Sequence, residues 1–147
     1  MTTTTVESAD TPSTGQVIVQ GAIAGVVGGV VFGVMMAMMG MLPMVGMLVR
    51  VESAVVGFIV HLVISAFIGA VYGLVISRFA NTLSVALAGG VINGIVWWVL
   101  GALLLMPLML GMSEMVFVVE QTQWMSLLGH LLYGVITALV FLALRRN

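Results

Sequence analysis

The sequence predicts an all-α integral membrane protein, built as a four-helix bundle, and three observations support that fold class. Hydrophobic residues make up 62% of the 147 positions and charged residues only 6%, whereas about a quarter of the residues in an ordinary soluble domain are charged. The mean hydropathy is +1.30. Four apolar stretches are each long enough for the roughly 20 helical residues that cross a bilayer core. We therefore expect a multi-pass protein whose main surroundings are the lipid bilayer.

A polar stretch, residues 1–16, precedes the first apolar stretch. It is rich in threonine and contains Glu7 and Asp10 but no lysine or arginine, so it lacks the positively charged start of a signal peptide and is expected to be a disordered tail. Residues 17–147 are predicted to form a single transmembrane domain. Its helices are expected at about residues 17–42, 55–76, 83–106 and 124–144.

The positions of the arginines predict the orientation of the bundle. Arg78 follows the second predicted helix, and Arg145 and Arg146 follow the fourth, whereas the opposite face has Arg50 alone. Positively charged residues in short loops favour the cytoplasmic side of a membrane. Both termini are therefore predicted to be cytoplasmic, in the plasma (inner) membrane of the cell.

The two halves of the chain contain similar motifs in the same order. The first helix ends in MLPMVGM, residues 41–47, and the third ends in LMPLMLGM, residues 105–112. Each motif is followed by a short acidic connection and a helix with a single histidine, either His61 or His130. This order predicts two repeated helical hairpins, related by an axis along the membrane normal, with the two histidines at one depth.

Glycines recur every four positions in several of the predicted helices, which places them along one side of each helix. In lipid, such stripes of small residues let helix backbones approach closely. The predicted helix-packing residues are Gly21, Gly25, Gly29, Gly33, Gly57, Gly69, Gly73, Gly90, Gly94 and Gly134. The same stripes predict that the bundle associates with further copies of itself or with another membrane protein.

The two histidines are the readily ionisable side chains inside the predicted spans. An ionisable group at membrane depth is costly, so it usually faces the interior of a bundle and often marks a pathway or a site. Polar residues on the predicted helices would lie near them. The candidate intramembrane polar site consists of His61, His130, Ser65, Ser126, Tyr133 and Asn93.

Three interpretations of this polar site follow from the sequence. Each histidine can be neutral and hydrogen-bonded across the bundle, where it fixes the register of the helices. The pair can instead titrate in a proton or ion path, since histidine changes charge near neutral pH. It can also ligate haem or a metal, and the methionines that cluster in the outer half of the predicted bundle extend this interpretation to copper(I). Methionine is also a flexible filler of irregular packing, so no cofactor is predicted and no metal site is assigned.

Composition and motifs argue against two functional classes. A net charge of −1 leaves no basic stripe for a nucleic acid. No P-loop, no HExxH motif and no arrangement of nucleophile, base and orienting residue occurs, so an enzyme is not expected and no catalytic residue is assigned. The sequence favours a non-enzymatic structural or accessory membrane component. The alternatives are a small proton- or ion-linked transporter or channel that uses the two histidines, and a haem- or copper-binding membrane subunit.

Four pieces of the second half form a recognisable series. They are LAGG at residues 87–90, PLMLGM at residues 107–112, the acidic loop, and LLGHLLYG at residues 127–134 running on to Arg145 and Arg146. In these pieces the chain resembles the YagU-like group of small bacterial inner-membrane proteins. The resemblance implies a multi-helix inner-membrane fold without an established activity, and it draws attention to His130 within the last motif.

Overall fold

The computed structural model describes residues 12–146, and the secondary-structure elements in that range are helical. Four helices are long and apolar enough to cross a membrane, namely Thr14–Met38, Ala54–Ile76, Leu83–Met109 and Gln121–Arg146. The predicted all-α four-helix bundle is therefore confirmed, and the chain is a multi-pass membrane protein. Residues 1–11, which form most of the predicted tail, lie outside the described residues.

The elements are named in chain order. The α-helices are α1 (Thr14–Met38), α2 (Leu42–Gly46), α3 (Ala54–Ile76), α4 (Leu83–Trp97), α5 (Met106–Met109) and α6 (Gln121–Arg146). Short 3₁₀ turns follow α2 at Met47–Val49 and precede α6 at Ser113–Met115, and a π-helical segment, Trp98–Leu105, joins α4 to α5.

The first span, α1, begins before the predicted residue 17 because its start is capped. The Ser13 hydroxyl accepts a hydrogen bond from the backbone N–H of Gln16 at 3.2 Å, and the Gln16 side chain accepts one from the N–H of Ser13 at 2.8 Å. This reciprocal pair satisfies two of the donors that a helix start leaves free. Residues 14–16, which were predicted to belong to the polar tail, are therefore helical.

The same span also ends earlier than predicted, at Met38 and not at residue 42. Gly40 adopts a left-handed conformation with φ 69°. Its N–H donates to the Ala37 carbonyl at 3.1 Å, and the N–H of Met41 donates to the Met36 carbonyl at 2.9 Å. This pattern is the Schellman termination, for which glycine is the favoured residue, and it turns the chain into α2.

The third span is irregular near its C-terminal end because Pro107 has no N–H to donate. In an α-helix the carbonyl of Leu103 would accept from residue 107, but here it accepts from the N–H of Phe117 at 3.0 Å. The following loop therefore folds back on the π-helical segment. At the start of that segment Trp98 donates its indole N–H to the Gln123 carbonyl at 2.9 Å and stacks on Trp124.

Helices α1 and α6 form the centre of the bundle. Helix α1 packs along α3 on one side and along α6 on another, and α4 packs mainly on α6. In the most apolar stretch of α1 and of α6, 44% and 39% of the residues are buried, against 28% in α3 and 17% in the third span. The few contacts between α3 and α4 include a hydrogen bond of 2.9 Å from the Tyr72 hydroxyl to the Ala86 carbonyl. The third span is thus the one most open to its surroundings.

Each hairpin is held by direct backbone contact at a pair of glycines. A Cβ atom added at Gly21 or at Gly69 would overlap the carbonyl of the other, and Gly90 and Gly134 face each other in the same way. The other predicted packing glycines also lie against neighbours within this chain. These are Gly25 and Gly29 against Ser65, Gly33 against Phe58 and His61, Gly57 against Leu42, Gly73 against Val17 and Phe141, and Gly94 against His130. Because the glycine stripes are occupied within one copy of the chain, they no longer provide a reason to expect an oligomer.

The internal repeat stays a prediction, and the two proline motifs behind it fold differently. Gly46 in the first motif is helical, with φ −60°, and lies against the start of α3. Gly111 in the second motif is left-handed, with φ 74°, and has no neighbour within 4 Å of an added Cβ. Similar sequence motifs in the two halves therefore adopt different backbone conformations.

Candidate functional site

A single aromatic ring contacts both histidines. The ring centroid of Phe32, on α1, lies 5.2 Å from that of His61 on α3 and 4.9 Å from that of His130 on α6, with edge-on geometry at both. Phe32 is 5% exposed, and it is the only aromatic residue of α1. The structure therefore brings both histidines of the predicted pair against one phenyl ring.

His61 joins α3 to α1 through a hydrogen bond. Its Nε2 atom lies 3.0 Å from the carbonyl oxygen of Gly29, and because a carbonyl only accepts, Nε2 is the donor. The glycine stripe makes room for this contact, since an added Cβ at Gly33 would meet the rings of both Phe58 and His61. The imidazole is buried, with 8% of the residue exposed.

His130 bonds within its own helix. Its Nδ1 atom donates to the carbonyl oxygen of Ser126, one turn earlier in α6, at 2.8 Å, and the Ser126 hydroxyl lies 3.4 Å from the same nitrogen. Between these residues, Gly129 leaves space for Phe32, because an added Cβ there would overlap the phenyl ring. His130 thus shapes the α6 side of the site, whereas His61 crosses between helices.

These bonds predict opposite tautomers for the two neutral imidazoles, with the proton on Nε2 in His61 and on Nδ1 in His130. We expect ¹⁵N NMR spectra of histidine-labelled protein in micelles to show one of each. The His130→Ala variant should keep the Nε2-protonated signals and the His61→Ala variant the Nδ1-protonated ones. Two histidines with the same tautomer would contradict the arrangement.

A second polar layer lies about one turn further from the histidines, toward the end of the bundle where α3 and α6 terminate. The Tyr133 hydroxyl on α6 donates to the backbone carbonyl of Ser65 on α3 at 2.7 Å. Thr137, one turn beyond Tyr133, is fully buried, and its hydroxyl has no hydrogen-bond partner within residues 12–146. Polar groups therefore continue inward from the histidines, and Ser65 contributes its carbonyl to this layer.

Asn93 lies beside the site on α4. It precedes Gly94, which packs on the backbone of His130. The amide nitrogen of Asn93 is buried and has no hydrogen-bond partner among the residues that the structure describes. Of the six predicted site residues, five therefore line the region between α1, α3 and α6, and Asn93 stands behind α6.

The two histidines do not match each other when the hairpins are compared by their closest contacts. Pairing Gly69 with Gly134, the glycines that make the reciprocal backbone contacts, aligns Ser65 with His130. His61 then aligns with Ser126, which lies four residues before His130. The serine and histidine of α3 occur in the reverse order in α6, so the predicted equivalence of the histidines does not follow from the glycine contacts.

A haem or copper ion held by both histidines would need the two imidazoles to face one metal at about 2 Å from each nitrogen. The Phe32 ring packs edge-on against both imidazoles at this level. One nitrogen of each imidazole is also committed to a backbone carbonyl. Within residues 12–146 there is no group of three or more His, Cys, Asp or Glu side chains that could hold a metal.

Comparisons of the chain with family models, with curated proteins and with solved structures found no match. The resemblance to the YagU-like group therefore stays an expectation from the sequence.

Proposed function

We propose that this protein is a non-enzymatic accessory component of the plasma (inner) membrane, with both termini on the cytoplasmic side. The observation that supports this proposal best is the filled centre of the bundle. At the level of the histidines, Phe32 packs edge-on against both imidazoles, and each imidazole N–H is used by a backbone carbonyl. A site with this packing holds helices together and leaves little room for a substrate.

The role that this proposal gives to His61 is to join α1 to α3. The imidazole N–H of His61 donates a hydrogen bond to the Gly29 carbonyl of α1. Hydrogen bonds between membrane helices contribute about 0.6 kcal/mol on average and up to about 1.7 kcal/mol. Such a bond fixes the register of the helices more than it stabilises the bundle, which agrees with a structural role.

The surroundings that this component contacts are lipid and, in our proposal, further copies of itself or another membrane protein. The third span offers the largest free surface, since only 17% of its most apolar stretch is buried within the chain. Exposed apolar residues such as Ile92 and Ile95 lie on that surface. A contact there would use long aliphatic side chains, because the glycines of α4 already face neighbours in this chain, Gly90 and Gly94 on α6 and Gly89 on α3.

A small proton- or ion-linked transporter is the second candidate, and the inner polar layer is the observation in its favour. Ser65, Tyr133 and Thr137 extend the polar region away from the histidines, and Thr137 has a buried hydroxyl without a partner in the described chain. Buried polar residues that follow one another along a bundle are typical of proton paths. Phe32, which packs against both imidazoles, would border such a path.

Proton flux distinguishes the two candidates. We expect liposomes that contain the purified protein and an enclosed pH-sensitive dye to acidify, under an applied potential, no faster than protein-free liposomes. A protonophore added at the end controls for sealed vesicles. Proton flux above that of protein-free liposomes, if it is lost in a His61→Ala, His130→Ala double variant, would contradict the accessory role and support the transporter. An absorption spectrum and metal analysis of the same preparation test the haem or copper alternative, and we expect neither colour nor bound metal.

A further inference from the structure

A basic depression lies at the inner end of the bundle, where α1 begins and where α3 and α6 end. Its lining includes Thr14 and Val17 from α1, Leu74 from α3, Ser77 and Arg78 just after α3, and Arg145 from α6. A second, smaller cavity lies on the other side of Arg145, next to Thr82 and Phe141. Arg145 therefore stands between two spaces that the helices leave open at one membrane face.

The positive charge of this depression is not balanced by an acidic residue among the described residues that line it. Arg78 and Arg145 are both positively charged, and among residues 12–146 none of those that line the depression is acidic. The Nε atom of Arg145 is buried without a hydrogen-bond partner in the described part of the chain, and its guanidinium lies 5.8 Å from the ring centroid of Phe141. A buried N–H group of a positively charged side chain is costly unless an anion or another acceptor takes its hydrogen bond.

The surroundings of the two arginines indicate which kind of anion fits. Val17 and Leu74 place apolar side chains beside the guanidinium groups, at the end of four helices that cross the membrane. The depression also borders the first turn of α1, whose backbone dipole favours negative charge. Basic pockets between membrane helices at a polar interface are typical sites for lipid headgroups.

We propose that this depression binds the phosphate of an anionic phospholipid, with Arg78 and Arg145 as the cationic ligands and the apolar residues beside the acyl chains. Arginine suits this role because its planar guanidinium can donate two parallel hydrogen bonds to one phosphate. The inference concerns the inner end of the bundle and is independent of the histidines.

Retention of lipid by the purified protein tests the proposal. In a mild detergent, with phosphatidylglycerol and phosphatidylcholine of identical acyl chains, we expect native mass spectrometry to show preferential retention of phosphatidylglycerol. An Arg78→Gln, Arg145→Gln double variant should lower that retention about 30-fold, from the attraction of each arginine to anionic lipid. The Arg78→Lys, Arg145→Lys variant keeps both charges and should retain more lipid than the glutamine variant.

A matched control separates a site from general charge. The Arg50→Gln, Arg146→Gln variant also removes two positive charges, but Arg50 lies at the opposite end and Arg146 is an exposed neighbour that does not line the depression. Its retention of phosphatidylglycerol should equal that of the unmodified chain. Thermal unfolding of each variant without added lipid checks that all of them fold.

Three results would overturn the proposal. An equal loss of phosphatidylglycerol retention in the two double glutamine variants would show that the lipid is held by the overall positive charge and not by this site. Complete displacement of phosphatidylglycerol by an equal concentration of inorganic phosphate would show that the lipid is not the ligand. Retention only after Glu7→Gln and Asp10→Asn would show that carboxylates of this chain, which lie close to Pro12 in the sequence, fill the depression instead.

Discussion

Replacement of Gly134 by alanine is expected to lower the free energy of unfolding by about 3 kcal/mol, at the upper end of the range for overpacked positions. The added methyl group would overlap the carbonyl of Gly90 and approach the backbone nitrogen of Gly94. These neighbours are backbone atoms of α4, so no rotation of a side chain can make room. Separation of α4 from α6 is the remaining response, and it weakens the whole second hairpin.

The measurement is unfolding in mixed micelles, followed by circular dichroism as a denaturing detergent is added. Gly101→Ala is the matched control, because an added Cβ at Gly101 has no neighbour within 4 Å. In a helix, alanine is about 1 kcal/mol more favourable than glycine, so the control should be neutral or slightly stabilised. Equal stability of the Gly134→Ala and Gly101→Ala variants would contradict the close contact between α4 and α6.

Removal of the Phe32 ring is expected to cost about 3 kcal/mol and to admit water beside the histidines. Truncation of a buried phenylalanine typically costs 3–5 kcal/mol in soluble proteins. We expect the low end here because lipid, unlike water, solvates apolar groups well. The cavity would be bordered by His61 and His130, whose ring nitrogens give a water molecule partners.

Phe32→Ala should therefore increase the modification of the histidines by diethyl pyrocarbonate in micelles, together with the loss of stability. Phe67→Ala is the control, because Phe67 is 60% exposed and packs edge-on against Trp97, away from the histidine rings. A Phe32→Ala variant whose histidines react as slowly as those of the unmodified chain would show that the ring does not seal the site.

The positions of the spans could be predicted from the sequence because long apolar stretches mark them. The exact ends of the helices depend on individual residues. The start of α1 depends on the reciprocal bonds of Ser13 and Gln16, and its end on the left-handed backbone at Gly40. In the third span the apolar pattern continues through Pro107, and nothing in that pattern distinguishes α-helical from π-helical backbone. The π segment is recognised only from the backbone of the structure.

The candidate site was predicted in its residue types but not in its geometry. The spacing of four residues places His61 and Ser65 on one face of α3, and both are buried there. Phe32 was missed because it does not fall on the four-residue row of glycines in α1. One signal was available, since it is the only aromatic side chain of that helix. Which partner each imidazole selects, a carbonyl of α1 or one of its own helix, depends on side-chain rotation, which periodicity does not report.

The central position of α1 between α3 and α6 has a consequence for the order of assembly during synthesis. The first hairpin can close as soon as α3 leaves the ribosome, because its glycine contacts are local in sequence. The contacts of α1 with α6, such as Gly28 with Tyr133 and Thr137, join the first span to the last one. Contacts between distant parts of a chain form late. Until α6 has been made, part of the face of α1 that carries Phe32 is therefore open to lipid, and the centre of the bundle is completed only when α6 packs against it.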